Sequence, residues 1–185
     1  DPDPNKVREN IGKPLATALD AYAPKGYEVN PEMISNAYRK WYAEQGRLGL
    51  QDEPLYPGMF KLINDLKNHK EFNIGVATNK SRIALNNGLK KHNLINIFDI
   101  TLTMDEAKAK PDPDMAIQAM SKLNIEKKST IIVGDTINDI GLGVNAGINS
   151  IGVAWGYNSI EMLRNEGADF ITENSEELFD AIINL

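Results

Sequence analysis

The sequence contains no cysteine, no long apolar run and no excess of basic residues. Without cysteine, neither a disulfide framework nor a thiolate metal site can form. No stretch approaches the roughly 20 consecutive apolar residues that a transmembrane helix needs. The formal net charge of −6 argues against nucleic acid as a partner, because nucleic acids bind to basic surfaces. We therefore expect a cytoplasmic protein that binds neither a membrane nor nucleic acid.

The apolar residues that are present predict two domains. They make up 42% of 185 residues, enough for one full domain and part of a second. Residues 5 to about 50 carry two apolar stripes at helical spacing, and Pro31 suits the start of the second helix. From Tyr56 onward helices alternate with strands, which predicts βα units and a parallel sheet. We expect a partial helical domain over residues 1–55 and an α/β domain over residues 56–185.

The α/β half contains five candidate strands. They are residues 72–77, a short strand near Ile100, residues 130–134, residues 150–154 and residues 169–172. The predicted helices are residues 59–68, 82–92 and 112–123, one that ends at Gly147, and a last one capped by Asn174 or Ser175.

The most informative segment is residues 131–139, with the sequence IIVGDTIND. Its β-branched residues suit a strand covered on both faces, and Asp135 follows at the carboxyl end, where α/β folds place metal and phosphate chemistry. Asp139 comes one helical turn later, so both carboxylates can face one divalent cation. In the alternative interpretation, Asp135 or Thr136 only caps the helix, and Asp139 is a solvated acid of its first turn.

Two other turns carry groups suited to an anion. Thr78 and Asn79 follow the strand at 72–77, and a hydroxyl with free backbone amides in such a turn can hold a phosphoryl oxygen. Pro111 moves Lys110 out of helical geometry, which fixes the ammonium at a helix entrance. In isolation, the better interpretation is that Thr78 is a helix N-cap and that Lys110 is a solvated charge. The order Thr, Lys, Asp-x-x-x-Asp makes a shared site the better prediction.

With these motifs in this order, the chain resembles the haloacid dehalogenase (HAD) superfamily of phosphotransferases. Thr78 matches the second family motif, Lys110 with the following proline the third, and residues 134–139 the fourth. The resemblance is closest to phosphoglycolate phosphatase-like members. The segments shared with them are Tyr-Pro-Gly at residues 56–58, Thr-Asn-Lys at 78–80, Lys-Pro-x-Pro at 110–113 and Trp-Gly-Tyr-Asn at 155–158.

The resemblance implies an HAD-like Rossmannoid parallel sheet with a helical cap. The implied activity is Mg²⁺-dependent hydrolysis of a small phosphate monoester through an aspartyl-phosphate, and the implied partner is a small phosphorylated metabolite. Asp135 would hold Mg²⁺ with Asp139 in support. Lys110 would offset charge on the phosphoryl group, and Thr78 with Asn79 would bind that group.

The resemblance also assigns a candidate role in the cap. Relatives place groups that face the ligand at the positions of Gly12 and Lys13, although a solvated loop fits these two residues equally well. The substrate itself remains open among phosphoglycolate, pyrophosphate, a nucleoside monophosphate and a sugar phosphate. The sequence does not specify an oligomeric state.

The first family motif, Asp-x-Asp at the tip of the central strand, has no match in a candidate strand. Its first Asp is the nucleophile and its second the general acid and base. Asp1, Pro2 and Asp3 have the right form, but no apolar run precedes them and proline disfavours a central strand. We expect that the chain begins inside the cap and lacks the central strand between 72–77 and 130–134. Without the nucleophile, this chain alone is predicted to be inactive.

Two other functions compete with this interpretation. The first is a non-catalytic protein that binds phosphate or a metal ion through Thr78, Lys110 and Asp135. The second is a receiver domain of the response-regulator type, in which the phosphorylated Asp precedes the Thr and Lys. Here the acids come last, so the order of the motifs argues against a receiver domain.

Overall fold

The computed structural model describes residues 3, 6–7, 10–13, 15–22, 30–48 and 53–185. The chain forms two compact units, residues 1–54 and residues 55–185. The first unit contains helices α1 (Leu15–Asp20) and α2 (Pro31–Arg47), which pack against each other. Helix α2 begins at Pro31, and the side chain of Asn30 caps it by accepting two backbone N–H groups of the first turn. The role of this unit as a cap stays a prediction.

The second unit alternates helices with parallel strands, which confirms the predicted α/β class. Its elements are α3 (Met59–Asn68), β1 (Gly75–Thr78), α4 (Arg82–Lys91), β2 (Ile100–Thr103), α5 (Asp114–Leu123), β3 (Ile131–Gly134), α6 (Ile137–Ala146), β4 (Asn149–Val153), α7 (Ile160–Glu166), β5 (Phe170–Thr172) and α8 (Ser175–Ile183). Helix α7 is absent from the sequence-based expectations. It is seven residues long and buries only Leu163, so its apolar pattern is too short to predict a helix.

The strands form two parallel sheets rather than one. Strand β1 pairs with β2, and β3, β4 and β5 form the second sheet in that order. No pairing joins β1 to β3 in the part of the chain that the structure describes. A cavity of about 160 Å³ is lined by both strands and by helix α5, with Val76, Ile132 and Met115 among its residues. This is the gap in which the resemblance leads us to expect a missing strand, and that expectation stays a prediction.

Buried apolar side chains hold the helices on the sheets. Met115 of α5 and Leu142 of α6 are fully buried in one cluster with Leu102 of β2. Ile151 of β4 and Leu178 of α8 are buried in another. Such burial is the main source of folding free energy, and here it fixes the turns that follow the strands. Within the described residues, no helix has both the length and the apolar character to cross a membrane.

Candidate phosphate and metal site

Lys110 bridges the two sheets at their carboxyl ends. Its Nζ donates to the carbonyl oxygen of Ala77 in β1 at 2.7 Å and to Oδ1 of Asp139 in α6 at 2.5 Å. The side chains of Lys110 and Asp139 are only 11% and 9% exposed. This burial excludes the interpretation of Lys110 as a solvated charge, and it keeps the ion pair from being screened by salt.

Asn79 fixes the backbone of Lys110. Its Oδ1 accepts the Lys110 N–H at 2.8 Å, and its Nδ2 donates to the Lys110 carbonyl oxygen at 3.1 Å. Because Asn79 directly follows β1, this two-point contact sets the position of the lysine relative to that strand. The geometry gives Asn79 a positioning role, and its direct contact with substrate stays a prediction.

Thr78 ends β1 with its side chain half-buried. Its Oγ1 accepts the N–H of Lys80 at 3.1 Å. The N-cap of α4 is Ser81, whose Oγ accepts the N–H of Ala84, so the alternative in which Thr78 is the N-cap is wrong. Among the described residues, none accepts a hydrogen bond from the Thr78 hydroxyl. This hydroxyl can therefore donate to a ligand oxygen.

Asp139 uses both carboxylate oxygens within the protein. Oδ2 accepts the backbone N–H of Thr136 at 3.0 Å and its hydroxyl at 2.7 Å, while Oδ1 accepts from Lys110. Thr136 occupies the N-cap position of α6, as one of the sequence interpretations predicts. Asp139 is only 6% exposed, so it is not a solvated acid. The contribution of Asp139 to a metal site stays a prediction.

Asp135 presents an oxygen that a cation can use. Its Oδ2 accepts the backbone N–H of Tyr157 at 3.0 Å, whereas no hydrogen bond from another described residue reaches Oδ1. Burial is the main cause that raises the pKa of Asp135, and the nearby Asp139 raises it further. Because burial penalises its ionised form, this carboxylate is stabilised by a nearby cation.

The donor set fits Mg²⁺ only in part. No group of three or more His, Cys, Asp or Glu side chains in the described ranges could hold a metal ion. Mg²⁺ commonly takes one or two carboxylates and fills its remaining positions with water and phosphate oxygens. Asp135 supplies one such carboxylate, so water, phosphate oxygens or residues outside the described ranges would fill the other positions.

The loop after β4 clamps the turn that carries Asp135. The backbone N–H of Asn158 donates to the Asp135 carbonyl oxygen at 3.1 Å, and Asn158 Oδ1 accepts the N–H of Ile137 at 2.8 Å. Gly156 lies directly against Asp135, since a Cβ at position 156 would be 2.1 Å from the Asp135 Cβ. Sequence reasoning noted this segment as part of the family pattern but gave it no role. This segment directly follows β4, the parallel neighbour of β3, and that position could have predicted its contact with the Asp135 turn.

The remaining predicted residues lie in the first unit. Gly12 has a positive φ of 87°, and Lys13 Nζ donates to Asn10 Oδ1 at 2.9 Å. Their role in facing a ligand stays a prediction. Asp1 and Pro2 lie outside the described residues. The carbonyl oxygen of Asp3 accepts the N–H of Val7 at 3.0 Å, a spacing typical of a helical turn.

Comparisons with known proteins agree with the motifs. The family model for haloacid dehalogenase-like hydrolases matches residues 1–153. Pyrophosphatase PpaX from Bacillus velezensis is 32% identical over 171 residues, which cover 91% of this chain and 74% of PpaX. The solved structure of a predicted phosphatase from Clostridium acetobutylicum is 28% identical, with a TM-score of 0.82, and the match covers 100% of this chain and 84% of that one.

A second solved structure shares the fold at lower identity. A predicted phosphoglycolate phosphatase from Haemophilus somnus gives a TM-score of 0.83 at 22% identity, over 97% of this chain and 82% of that one. The parallel α/β architecture, the three motif turns and the match to the family model lead to one conclusion. The chain belongs to the haloacid dehalogenase-like hydrolase family.

Proposed function

We propose that the chain is the core and part of the cap of a Mg²⁺-dependent phosphatase that hydrolyses a small, phosphoglycolate-like phosphate monoester. The observation that carries the proposal is the pair of hydrogen bonds made by Lys110. One ends on Ala77, the neighbour of Thr78, and the other ends on Asp139, one turn from Asp135. Lys110 therefore draws the turn after β1 and the turn after β3 toward each other.

The chemistry of a phosphate ester suits these groups. A phosphate monoester carries two negative charges, so its transfer needs fixed donors and cations around the phosphoryl oxygens. The ammonium of Lys110 offsets part of that charge, and the hydroxyl of Thr78 donates to one oxygen. Asp135 would hold Mg²⁺, which when bound neutralises phosphoryl oxygens. Because the net charge is −6, an anionic substrate needs a local positive site, which Lys110 and a bound cation would provide. We place such an enzyme in the cytoplasm.

The proposal includes an aspartyl-phosphate whose nucleophile is supplied by a segment outside this sequence. Strands β1 and β3 each have an edge that no described strand covers, and the cavity between them is lined by apolar residues such as Val76 and Ile132. A parallel strand in this gap would satisfy both edges. Its carboxyl end would lie beside Lys110, which suits an acidic residue there. The chain by itself is accordingly proposed to have little or no turnover.

A second candidate function is binding of phosphate or Mg²⁺ without turnover. It is favoured by the Lys110–Asp139 ion pair, which is complete without a nucleophile. The name of PpaX also adds pyrophosphate to the substrates worth testing. Addition of the proposed strand distinguishes the two functions, because only a phosphatase would then hydrolyse the substrate.

The test compares the chain alone with the chain joined to an upstream apolar strand that ends in Asp-x-Asp. Release of inorganic phosphate from phosphoglycolate and pyrophosphate is measured with and without Mg²⁺. We expect turnover only from the joined protein, and we expect Lys110→Ala to abolish it. Mg²⁺-dependent turnover by the purified chain alone would contradict the proposed external nucleophile. A joined protein that binds Mg²⁺ but releases no phosphate would favour the binding function.

A further inference from the structure

We propose that Asn158 is a positioning residue that sets the Mg²⁺ affinity of Asp135 by fixing the turn between β3 and α6. The inference rests on the proposed function, because it takes Asp135 as the Mg²⁺ ligand. Asn158 itself is not proposed to touch the metal ion or the substrate. It lies in the loop between β4 and α7, and only 7% of its surface is exposed.

The side chain of Asn158 caps α6 from a distant part of the sequence. Its Oδ1 accepts the N–H of Ile137, the first residue of α6, at 2.8 Å. The first N–H groups of a helix have no partner within the helix, so this acceptor satisfies one of them. The contact joins two residues 21 positions apart and thereby ties the β4–α7 loop to the start of α6.

The same loop also holds Asp135 on two sides. The N–H of Tyr157 donates to Asp135 Oδ2 at 3.0 Å, and the N–H of Asn158 donates to the Asp135 carbonyl oxygen at 3.1 Å. Gly156 packs so closely that a Cβ there would be 2.3 Å from Asp135 Oδ2. A displacement of this loop would therefore change the contacts that orient the Asp135 carboxylate.

Of the hydrogen bonds from this loop to the turn, only the bond to Ile137 uses a side chain of the loop. The bonds to Asp135 use backbone N–H groups that almost any residue supplies. Removal of the Asn158 acceptor would leave the Ile137 N–H without this partner and free the loop to shift. Residues that orient metal ligands through hydrogen bonds commonly change metal affinity by about 10- to 100-fold when they are replaced.

The test measures Mg²⁺ binding to the full chain by isothermal titration calorimetry, with amide exchange of Ile137 as a second readout. For Asn158→Ala we expect a Kd for Mg²⁺ that is roughly tenfold higher and faster exchange at Ile137. Asn158→Asp keeps an acceptor of the same shape, and we expect it to bind Mg²⁺ at least as tightly as the unmutated chain.

Asn174 provides a matched control. Its Oδ1 caps α8 by accepting the N–H of Glu177 at 2.8 Å, and no hydrogen bond links it to Asp135. Asn174→Ala should therefore lower the free energy of unfolding without changing the Mg²⁺ affinity. An equal loss of Mg²⁺ affinity in Asn174→Ala would mean that the Asn158 effect comes only from lower overall stability. That result would overturn the inference.

Two results separate this inference from the proposed function. If the unmutated chain and Asn158→Ala bind Mg²⁺ equally, the inference is wrong and the metal site stands. If the unmutated chain does not bind Mg²⁺, the proposed metal site fails and the inference fails with it. Should Asn158→Ala not fold, Asn158→Ser takes its place with the same expected loss, because the shorter side chain does not reach Ile137.

Discussion

The ammonium of Lys110 lies 2.5 Å from Oδ1 of Asp139, in an ion pair that connects the turn before α5 to the first turn of α6. Both side chains are almost fully buried, and each has a second hydrogen-bond partner. Removal of one member of such a pair leaves the other charged, desolvated and unpaired. The pair therefore contributes to the architecture of the site as well as to its charge.

Lys110→Met is expected to lower the free energy of unfolding by about 3 kcal/mol, because it leaves Asp139 buried without its cation. Urea unfolding followed by circular dichroism measures the change. The double variant Lys110→Met with Asp139→Asn should recover part of the loss, since no unpaired charge remains. A double variant as unstable as the sum of both single variants would contradict the coupling.

Asn79→Ala is expected to cost about 1–2 kcal/mol of stability, since the buried N–H and carbonyl groups of Lys110 both lose a partner. It should also reduce the rise in thermal midpoint that inorganic phosphate causes, because the backbone of Lys110 is no longer held in place. Asn64→Ala is the control, as the hydrogen bond from Asn64 Nδ2 to the carbonyl oxygen of Phe60 is exposed to solvent. Equal effects of the two substitutions would argue against the clamp.

Asp135→Asn is expected to stabilise the chain in the absence of metal. Burial raises the pKa of Asp135, which means that its charged form is costly in the folded state at neutral pH. Removal of the charge should raise the thermal midpoint by about 3 °C, equivalent to about 1 kcal/mol. Added Mg²⁺ should raise the midpoint of the unmutated chain but not that of the variant. Stabilisation of both by Mg²⁺ would place the ion elsewhere.

Glu106 is expected to govern part of the acid sensitivity. The guanidinium of Arg82 beside Glu106 lowers the pKa of that carboxyl to about 2. A folded-state pKa below the unfolded value of about 4.3 means that the stabilisation is present above pH ~4.3 and is lost as pH falls toward 2. The two side chains are 29% and 37% exposed, so the contribution is about 1 kcal/mol at most.

Urea unfolding at several pH values between 6 and 2.5 tests this dependence. Glu106→Gln should lower stability at pH 6 and reduce its fall toward pH 2.5. The exposed pair of Lys128 and Glu126 supplies a control, since those side chains are 81% and 74% exposed. Glu126→Gln should leave the pH profile unchanged, and an equal effect at both positions would refute the assignment to Glu106.

Two glycines should respond in opposite directions to the same substitution. Gly156→Ala forces a Cβ to within 2.1 Å of the Asp135 Cβ, so it should destabilise the chain and weaken Mg²⁺ binding. Gly88 lies inside α4 with no atom within 4 Å of an added Cβ. Gly88→Ala should therefore stabilise the chain by about 0.5–1 kcal/mol. Thermal unfolding with and without Mg²⁺ reads out both changes.

Local signals in the sequence predicted much of the architecture. The apolar spacing predicts α3 with the bounds that the structure has, and Gly147 ends α6 with a φ of 68°, as a glycine stop should. The burial of Lys110 in an ion pair does not follow from local signals. Its partner Asp139 is 29 residues away, and that contact depends on how the two sheets pack.

The contacts that the sequence does not predict are those between distant turns. Asn158 meets Ile137 only because β3 and β4 are parallel neighbours, which brings together the turns at their carboxyl ends. Asn79 meets the backbone of Lys110 across 31 residues for a similar reason. Residue type and spacing identify which side chains can bind an anion or a cation. They do not identify which amides hold those side chains in place.

The two hydrogen bonds of Lys110 have a consequence for how an anion would bind. An ammonium has three N–H donors, and the described residues accept only two of them, at Ala77 and Asp139. The third can meet an incoming oxygen without release of the other two. The rotamers of this long side chain are thus restricted during folding, so the entropy of ordering it is not lost again when the ligand arrives. In that sense Lys110 is preorganised to bind an anion.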